Sequence, residues 1–405
     1  MNNNSLANFL ESSDYLLIFG IILAPFTALR IVKFGPGEIL LIIWIIYVFK
    51  HDIKKIKFIF LNYYQVYNLI MLCVGFCYNS LINDKIISIE IIIDYFSHLF
   101  MFLFTLSLVN FYIHINTERI NEIIRNITIF GVPIYFILYL YAYYISGNLF
   151  GIKMWIGHRD RFMALALNPH QIGMITGAMI FFTLYLIVLT KQIKVKILLL
   201  LATLIWLYIS IETKSDTLTL VYVLSVFIYV IMKLVKSNIS KTSKKKFLFV
   251  IGIVFIFLLV CVYDIVLYKF RTFIAEAGNG EGRLVIWTYS LNRISNMPFG
   301  LLFGLGPGGN TGLYMIRSGH EMEAHNTYIQ QILNCGISVF LFYLFIIYKL
   351  TKDVFEKNTY LVLNILYFVF YGCGGNMNRR ALMWFTYATV WALFEKTKDT
   401  WISKI

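Results

Sequence analysis

The stretch PHQIGMITGAMIFFTLYLIVLT, residues 169–190, decides the class of protein to which this chain belongs. It contains no Asp, Glu, Lys or Arg over its whole length. A helix that crosses the roughly 30 Å hydrocarbon core of a bilayer needs about 20 predominantly apolar residues, which this stretch supplies. Similar runs recur along the sequence, so we expect an all-α polytopic membrane protein.

Apolar runs long enough to be considered as membrane spans number about twelve. They fall near 13–29, 37–50, 58–78, 89–113, 127–146, 169–190, 197–212, 217–235, 247–268, 325–348, 359–376 and 381–395. Of the 405 residues, 59% are hydrophobic and 14% charged, whereas soluble domains carry about 25% charged residues. Because the spans use most of the chain, we expect one integral membrane domain over residues 1–405.

The distribution of basic residues predicts the orientation of these spans. An even number of spans places both termini on one side, and the positive-inside rule makes that side the cytoplasm. With this orientation the inner segments carry 19 Lys and 2 Arg, while the outer segments carry 5 Lys and 9 Arg. The lysines therefore fix the topology, and the outer arginines need another explanation.

Arginine on the outer face favours an anionic ligand. A guanidinium group binds phosphate through two parallel hydrogen bonds and stays protonated at working pH. We therefore infer a phosphate-bearing ligand at the outer face, with lipid headgroups and local ion pairs as the alternative for any single arginine. The net charge of +14 would point to nucleic acid in a soluble protein, but here it is spread between membrane spans, and we expect no nucleic-acid partner.

Two predicted outer loops, residues 147–168 and 269–324, hold most of the candidate functional residues. The first loop contains Arg159 and Arg161. The second is the larger, and it is the only predicted loop long enough to cover a site. We expect a large periplasmic loop there, between the ninth and tenth spans.

The larger loop contains a predicted amphipathic helix over about 283–296. Leu284, Trp287, Leu291 and Ile294 recur at steps of three and four residues, and Pro298 ends the pattern. Such a helix is expected to lie in the membrane interface. It would carry Arg293 and place Arg283 in its first turn, beside unpaired backbone N–H groups that also favour an anion.

The end of the larger loop is rich in polar side chains. The helix is followed by the glycine-rich run GLGPGGN at 304–310, read here as a turn rather than a phosphate cradle, and then by Arg317, His320, Glu321, Glu323 and His325. We expect no metal site, because the spacing of the two histidines is not that of a zinc ligand pair and HExxH is absent. An imidazole titrates near pH 6.5 when unperturbed, so His325 is a candidate general base, or else a capping residue.

Three sequence motifs resemble a known family. The first is Arg161 followed by NPHQIG at 168–173; the second is GR at 282–283 with Trp287 and the later PFG at 298–300 and GLG at 304–306; the third is HNTYIQ at 325–330 with GI at 336–337. Together they resemble, in order and spacing, bacterial O-antigen polymerases and ligases, which act on undecaprenyl-pyrophosphate-linked glycans. The resemblance covers roughly residues 155–345. It departs from the family at His170, where a second Asn is usual, and at Thr213–Thr217, where relatives often carry Ser-Arg.

The resemblance implies a GT-C-like fold in the bacterial inner membrane, with the active site facing the periplasm. It implies a metal-independent, inverting glycosyltransferase that needs no cofactor and moves a growing glycan from undecaprenyl pyrophosphate to a sugar hydroxyl of a lipid-linked repeat unit. His325 would be the base, and Arg161 and Arg283 would hold the departing pyrophosphate. The residues implied in substrate binding are Arg159, Arg317, Arg293, Asn326, Tyr328 and Asn168. A regulator of glycan chain length is the protein partner that the family implies, beside membrane lipids.

Two other functions remain open from the sequence. A ligase that transfers finished glycan to lipid A core is less favoured, because the downstream Gly-x-x-Gly-Thr pattern has Val339 and Phe340 in place of its second Gly and its Thr. A flippase or transporter for the same glycan usually has ionisable groups near the middle of its helices. Here Asp94, Glu212 and Asp264 lie toward the ends of predicted spans, which favours chemistry at the outer interface.

Overall fold

The computed structural model describes residues 11–31, 34–51, 56–83, 89–156, 160–236, 252, 283–307, 324–357 and 359–402. Most of these residues are helical. The main helices are α1 (Ser12–Leu23), α2 (Pro36–His51), α3 (Phe60–Asn83), α4 (Ile89–His114), α5 (Thr117–Tyr144), α6 (Pro169–Leu189), α7 (Ile193–Glu212), α8 (Asp216–Lys236), α9 (Arg283–Ser295), α10 (Gly300–Phe303), α11 (Thr327–Lys357), α12 (Val362–Tyr371) and α13 (Ala381–Ile402). Single 3₁₀ turns lie at Thr27–Leu29 and Thr359–Leu361.

Seven helices in the described part of the chain are long and apolar enough to cross a membrane, namely α3 to α8 and α11. They indicate an integral membrane protein of the all-α class. Two shorter apolar helices lie at Ser12–Leu23 and Thr359–Tyr371, and the predicted span near 247–268 lies outside the described residues. The total of about twelve spans and their orientation stay predictions.

The helices pack as a bundle with α6 near its centre. Most of α6 is buried, whereas α7 and α8 expose much of their length, as helices at a lipid-facing surface do. α6 packs against α7, α1 against α2, α11 against α3, and α12 against α8. The largest fully buried side chains are aromatic, and Trp44, Trp206 and Trp384 are the bulkiest of them.

Several predicted spans have different ends in the structure. The first predicted run, 13–29, is helical only to Leu23, because Pro25 has no N–H to continue the helical hydrogen bonds and a 3₁₀ turn follows. The eleventh run, 359–376, is helical only to Tyr371, and a glycine-rich turn follows it. Hydropathy alone does not mark these ends, since the residues beyond them remain largely apolar.

The predicted amphipathic helix is present as α9, which runs from Arg283 to Ser295. Its buried side chains are Ile286, Ser290 and Ile294, whereas Leu291 is exposed. The helix contacts α10 and α11. Its exposed apolar side remains available to the membrane interface, where we predicted that it lies.

The starts of several helices meet at one end of the bundle, which we call the upper end. Ser215, just before α8, lies 3.1 Å from Nδ1 of His170 on α6. The N–H of Thr327 at the start of α11 donates to the carbonyl of Gly372. Arg380, just before α13, lines the same cavity as Gln171 on α6. The starts of α6, α8, α11 and α13 therefore meet at the upper end.

α11 is broken at Gly336, whose backbone angles of φ 80° and ψ 175° are not helical. The break frees the carbonyls of Leu333 and Asn334, which accept hydrogen bonds from the N–H groups of Leu305 (2.7 Å) and Gly306 (2.9 Å). Non-helical backbone inside a membrane protein is tolerated where its polar groups are satisfied by other parts of the chain.

The segment 300–306 enters the bundle beside this break. A Cβ atom at Gly336 would lie 2.1 Å from the carbonyl oxygen of Leu302, and one at Gly306 would meet the backbone of Phe76 on α3. The side chain of Asn79 donates to the carbonyl of Leu305 over 3.0 Å. The segment 300–306, which contains the start of the glycine-rich run, is therefore a wedge held between α3 and the two halves of α11.

Candidate functional site

The loop of residues 147–168 holds Arg161 on a pair of short antiparallel hairpins. Strand β1 (Asn148–Leu149) pairs with β2 (Ile152–Lys153), and β3 (Trp155–Ile156) pairs with β4 (Arg161–Phe162). Trp155 and Phe162 each contact the ring of Tyr139 on α5, with centroid distances of 5.9 and 5.3 Å. These aromatic contacts fix the second hairpin against the bundle.

Arg161 reaches the turn between α7 and α8. Its Nε donates to the carbonyl oxygen of Thr213, 3.1 Å away. Because Nε faces this carbonyl, the planar guanidinium is oriented by the protein. Arg161 therefore lies at the upper end, beside the turn between α7 and α8.

His170 lies in the first turn of α6, close to this turn. Asn168 caps the helix, with its Oδ1 accepting from the N–H of His170 at 2.9 Å. The ring Nδ1 of His170 is 3.1 Å from the hydroxyl of Ser215, and the hydroxyl of Tyr371 donates to the carbonyl of His170 at 2.7 Å. Sequence reasoning treated His170 and Thr213–Thr217 as separate departures from the family, and the structure brings them into contact.

His325 is presented between two residues that the protein holds tightly. Ala324 is fully buried; its N–H donates to the side chain of Gln330 at 2.9 Å, and its carbonyl accepts from the indole of Trp287 at 2.7 Å. His325 itself is only partly buried and has a φ of 48°. Such left-handed backbone is uncommon outside glycine and is often found at functional sites.

Asn326 and Thr327 hold the start of α11 on the turn that follows α12. Oδ1 of Asn326 accepts from the N–H groups of Tyr328 and Ile329, and its Nδ2 donates to the carbonyl of Cys373. The hydroxyl of Thr327 donates to the carbonyl of Gly375 and accepts from the N–H of Met377. The backbone on both sides of His325 is therefore fixed.

Three residues predicted to bind substrate make structural hydrogen bonds within the protein. Asn168 caps α6 and Asn326 caps α11, while the hydroxyl of Tyr328 donates to the carbonyl of Val369 at 2.6 Å. Asn and Asp are the residue types that cap helix starts best. Contact of these side chains with a substrate stays a prediction.

Other predicted site residues lie partly or wholly outside the described residues. Arg159, Arg317, His320, Glu321 and Glu323 are among those not described. Arg283 begins α9, but its side chain lies outside the description. Arg293 is partly buried near the end of α9. Among the residues that the structure does describe, no cluster of His, Cys, Asp and Glu could hold a metal ion.

Ion pairs involve two of the arginines that we predicted to lie on the outer side. Arg30 pairs with Glu38 and Arg379 pairs with Asp94, each over 2.5 Å. For these two residues the alternative of local ion pairing is correct. The second pair joins residues 285 positions apart, and no local sequence signal could have indicated it.

The turn 372–380 connects the parts of the upper end. It accepts hydrogen bonds from Asn326 and Thr327, and Asn378 accepts from Gln331 on α11 at 2.8 Å. The turn directly follows Tyr371, which is bonded to His170. The motif around Arg161 and the motif around His325, more than 150 residues apart in the sequence, are joined through this turn.

Comparison with known proteins adds nothing to this description: no protein-family model matches the chain, and no curated protein matches it.

Proposed function

We propose that this chain is a glycosyltransferase of the polymerase type. It transfers a growing glycan from undecaprenyl pyrophosphate to a sugar hydroxyl of an undecaprenyl-pyrophosphate-linked repeat unit. The reaction takes place at the upper end, on the periplasmic side of a bacterial inner membrane. The support comes from the sequence motifs, from the outer arginines and from the geometry around His325.

The observation that carries the proposal is the way in which His325 is presented. Its two neighbours, Ala324 and Asn326, are buried and hydrogen-bonded within the protein, whereas His325 itself is only partly buried. A left-handed backbone at a non-glycine residue costs of order 1–3 kcal/mol and persists where the surroundings impose it. A residue with only a capping role would not need this conformation, because Asn326 already caps the helix.

The proposed chemistry follows from the groups at the upper end. His325 takes the proton of the attacking sugar hydroxyl, which an imidazole can do near neutral pH. Arg161 and Arg283 stabilise the charge that builds up on the departing pyrophosphate. Cations fixed in advance at the leaving group lower the barrier more than they tighten binding of the ground state. Direct displacement of this kind inverts the anomeric centre.

The charged residues of the opposite end fit this orientation. Arg119 near the start of α5 pairs with Asp14 and Glu11, and Arg125 pairs with Glu122. Described lysines also lie near the ends of α2, α8 and α11 and the start of α7 at the same end, among them Lys50, Lys236, Lys352 and Lys194. The positive-inside rule makes this end cytoplasmic, so the upper end faces the periplasm.

The test is glycan synthesis by the purified chain in proteoliposomes that contain undecaprenyl-pyrophosphate-linked repeat units. We expect the His325→Ala variant to lose chain elongation by at least two orders of magnitude, in line with the usual contribution of a general base of about 10²–10⁴. His114→Ala is the matched control, since His114 is exposed at the opposite end of α4. If the His325→Ala protein is present at normal abundance and still makes full-length glycans, His325 is not the base.

A second variant tests the pyrophosphate contact. Arg161→Lys keeps the positive charge but loses the planar fork, and we expect elongation to fall with little change in the amount of folded protein. If Arg161→Lys gives the same ladder of glycan lengths as wild type, Arg161 does not bind the pyrophosphate through two parallel hydrogen bonds.

A further inference from the structure

A small cavity lies at the upper end, apart from His325 and Arg161. Its volume is about 40 Å³, and its polar lining comes from Glu38 on α2, Gln171 on α6, and Arg379 and Arg380 before α13. A water molecule needs about 10–15 Å³ measured in this way, so there is room for about three water molecules. The three terminal oxygens of a phosphoryl group need a similar space.

The charges around this cavity do not balance. Three guanidinium groups, those of Arg30, Arg379 and Arg380, are close enough to affect one another, and two carboxylates neutralise two of them. Both oxygens of Glu38 are used, one by Arg30 and the other by the N–H of Gly35. Asp94 is paired with Arg379. Among the residues that the structure describes, no further carboxylate pairs with Arg380.

Arg380 also has an unused donor. Its Nε is buried and has no hydrogen-bond partner in the described structure. Burial, together with the positive charges of Arg379 and Arg30, lowers the pKa of Arg380 to about 10. An arginine remains protonated at neutral pH even so, and a buried donor without a partner is costly.

Gln171 offers donors to the same cavity. The hydroxyl of Thr27 accepts from the N–H of Leu167 at 3.0 Å, so its own hydrogen is directed to Oε1 of Gln171. This network assigns the orientation of the amide, because the oxygen is already occupied. The amide nitrogen of Gln171 is then the group that remains for a ligand.

We propose that this cavity, which we call the Arg380 cavity, binds a phosphate group of a membrane-anchored lipid. The group accepts hydrogen bonds from Arg380 and Gln171 and neutralises the unbalanced guanidinium charge. Phosphate fits because a guanidinium and an amide donor converge on a space of phosphoryl size. The lipid is either a prenyl diphosphate or a phospholipid.

The proposed function supplies one candidate for this lipid, and the identification as a substrate rests on that function. A polymerase handles two lipid-linked glycans at once, and the acceptor keeps its own pyrophosphate while the donor loses its carrier. The departing pyrophosphate is assigned to Arg161 and Arg283. The Arg380 cavity would hold the pyrophosphate of the acceptor.

The cavity is connected to His325 through the turn 372–380. Met377 donates its N–H to the hydroxyl of Thr327, and Thr327 follows His325 by two residues. Arg380 donates its own N–H to the carbonyl of Met377 at 3.0 Å. A phosphate bound at Arg380 would therefore stabilise the segment on which the start of α11 rests.

The test counts bound lipids on the intact chain in detergent by native mass spectrometry, with farnesyl diphosphate, phosphatidylglycerol and inorganic pyrophosphate as probes. The variants are Arg380→Gln and Arg380→Lys. The matched control is Arg125→Gln, an arginine paired with Glu122 near the opposite end. We expect Arg380→Gln to lose one bound farnesyl diphosphate or to bind it about tenfold more weakly, with Arg380→Lys in between and the control unchanged.

The outcomes separate the parts of the proposal. Loss of farnesyl diphosphate but not phosphatidylglycerol in Arg380→Gln supports a prenyl diphosphate site, and loss of both to the same extent assigns the cavity to a phospholipid headgroup. Equal binding of all three probes by wild type and Arg380→Gln overturns the phosphate site. A protein that binds farnesyl diphosphate through Arg380 but makes no glycan would contradict the proposed function. The proposal that the Arg380 cavity binds a lipid phosphate would still hold.

Loss of bound lipid in Arg380→Gln can be distinguished from a folding defect by the melting temperature. Arg380 is repelled by its neighbours and lacks a partner for Nε, so Arg380→Gln is expected to keep or raise the melting temperature. A variant that binds less lipid while melting at the wild-type temperature has lost the site and not the fold.

Discussion

Replacing Gly336 by Ala tests whether the break in α11 and the wedge 300–306 depend on each other. An alanine at this position must adopt φ 80° and ψ 175°, a region that essentially only glycine occupies. Its Cβ would lie 2.1 Å from the carbonyl oxygen of Leu302, well inside van der Waals contact. Either the wedge moves out of the bundle or α11 closes into a continuous helix.

Both routes lose the same hydrogen bonds. The N–H groups of Leu305 and Gly306 are buried and donate to Leu333 and Asn334. Each bond contributes about 1 kcal/mol net, and the backbone strain adds about 1–3 kcal/mol. We therefore expect Gly336→Ala to lower the free energy of unfolding by about 3–5 kcal/mol if the wedge moves out and the strained backbone stays, and by at least about 2 kcal/mol if α11 closes and relieves the strain.

Gly151→Ala is the matched control for this substitution. Gly151 has nearly the same φ, 79°, but a Cβ there would meet nothing within 4 Å. Only the cost of left-handed backbone remains, on the order of 1–2 kcal/mol. Both variants are compared with wild type by reversible unfolding in mixed micelles of a mild detergent and dodecyl sulfate. If Gly336→Ala costs no more than Gly151→Ala, the wedge does not depend on the break and the reasoning is wrong.

Three further substitutions test how His325 is held. His325→Gly removes the imidazole and relieves the left-handed backbone, so we expect elongation to be lost while the free energy of unfolding stays the same or rises by up to about 1 kcal/mol. Trp287→Phe removes the indole hydrogen bond to Ala324, which costs about 1 kcal/mol, and releases the residue before His325. We expect the rate of glycan elongation to fall about tenfold or more. A wild-type rate of elongation would contradict this positioning role of Trp287. Asn326→Ala removes the cap of α11 and should lower stability by about 0.5–2 kcal/mol, measured by the same unfolding titration; no change in stability would show that the cap is dispensable.

Much of the helical architecture follows from local sequence. The period of apolar residues predicted a helix over 283–296, and α9 runs from Arg283 to Ser295. Runs of apolar residues without charges predicted the long helices, because the bilayer leaves few alternatives. The period alone did not indicate that Ile286 and Ser290 are buried within the protein, because α9 packs against α10 and α11.

The break at Gly336 could not be read from hydropathy. The residues on both sides of it are apolar or neutral, so an average over 20 residues shows one uninterrupted run. What breaks the helix is a partner 30 residues earlier in the chain, the N–H groups of Leu305 and Gly306. Such a partner is visible only in three dimensions.

The sequence predicted where the candidate site lies along the chain, but not the contacts that connect its parts. The order of the spans predicted that Arg161 and His325 lie on the same side, and in the structure both lie at the upper end. The pairing of Arg379 with Asp94 and the contact of His170 with Ser215 join residues 285 and 45 positions apart, and the turn 372–380 carries no chemical motif that marks it as a junction. The unpaired Nε of Arg380 also has no counterpart in the sequence.

The most direct test of the central claim is the product that the purified wild-type chain makes from a single undecaprenyl-pyrophosphate-linked repeat unit in proteoliposomes. The account predicts a ladder of glycans that differ by one repeat unit, with one undecaprenyl pyrophosphate released for each new bond. Movement of the lipid-linked unit across the membrane with no new glycosidic bond, or bond formation only when lipid A core is added, would contradict it.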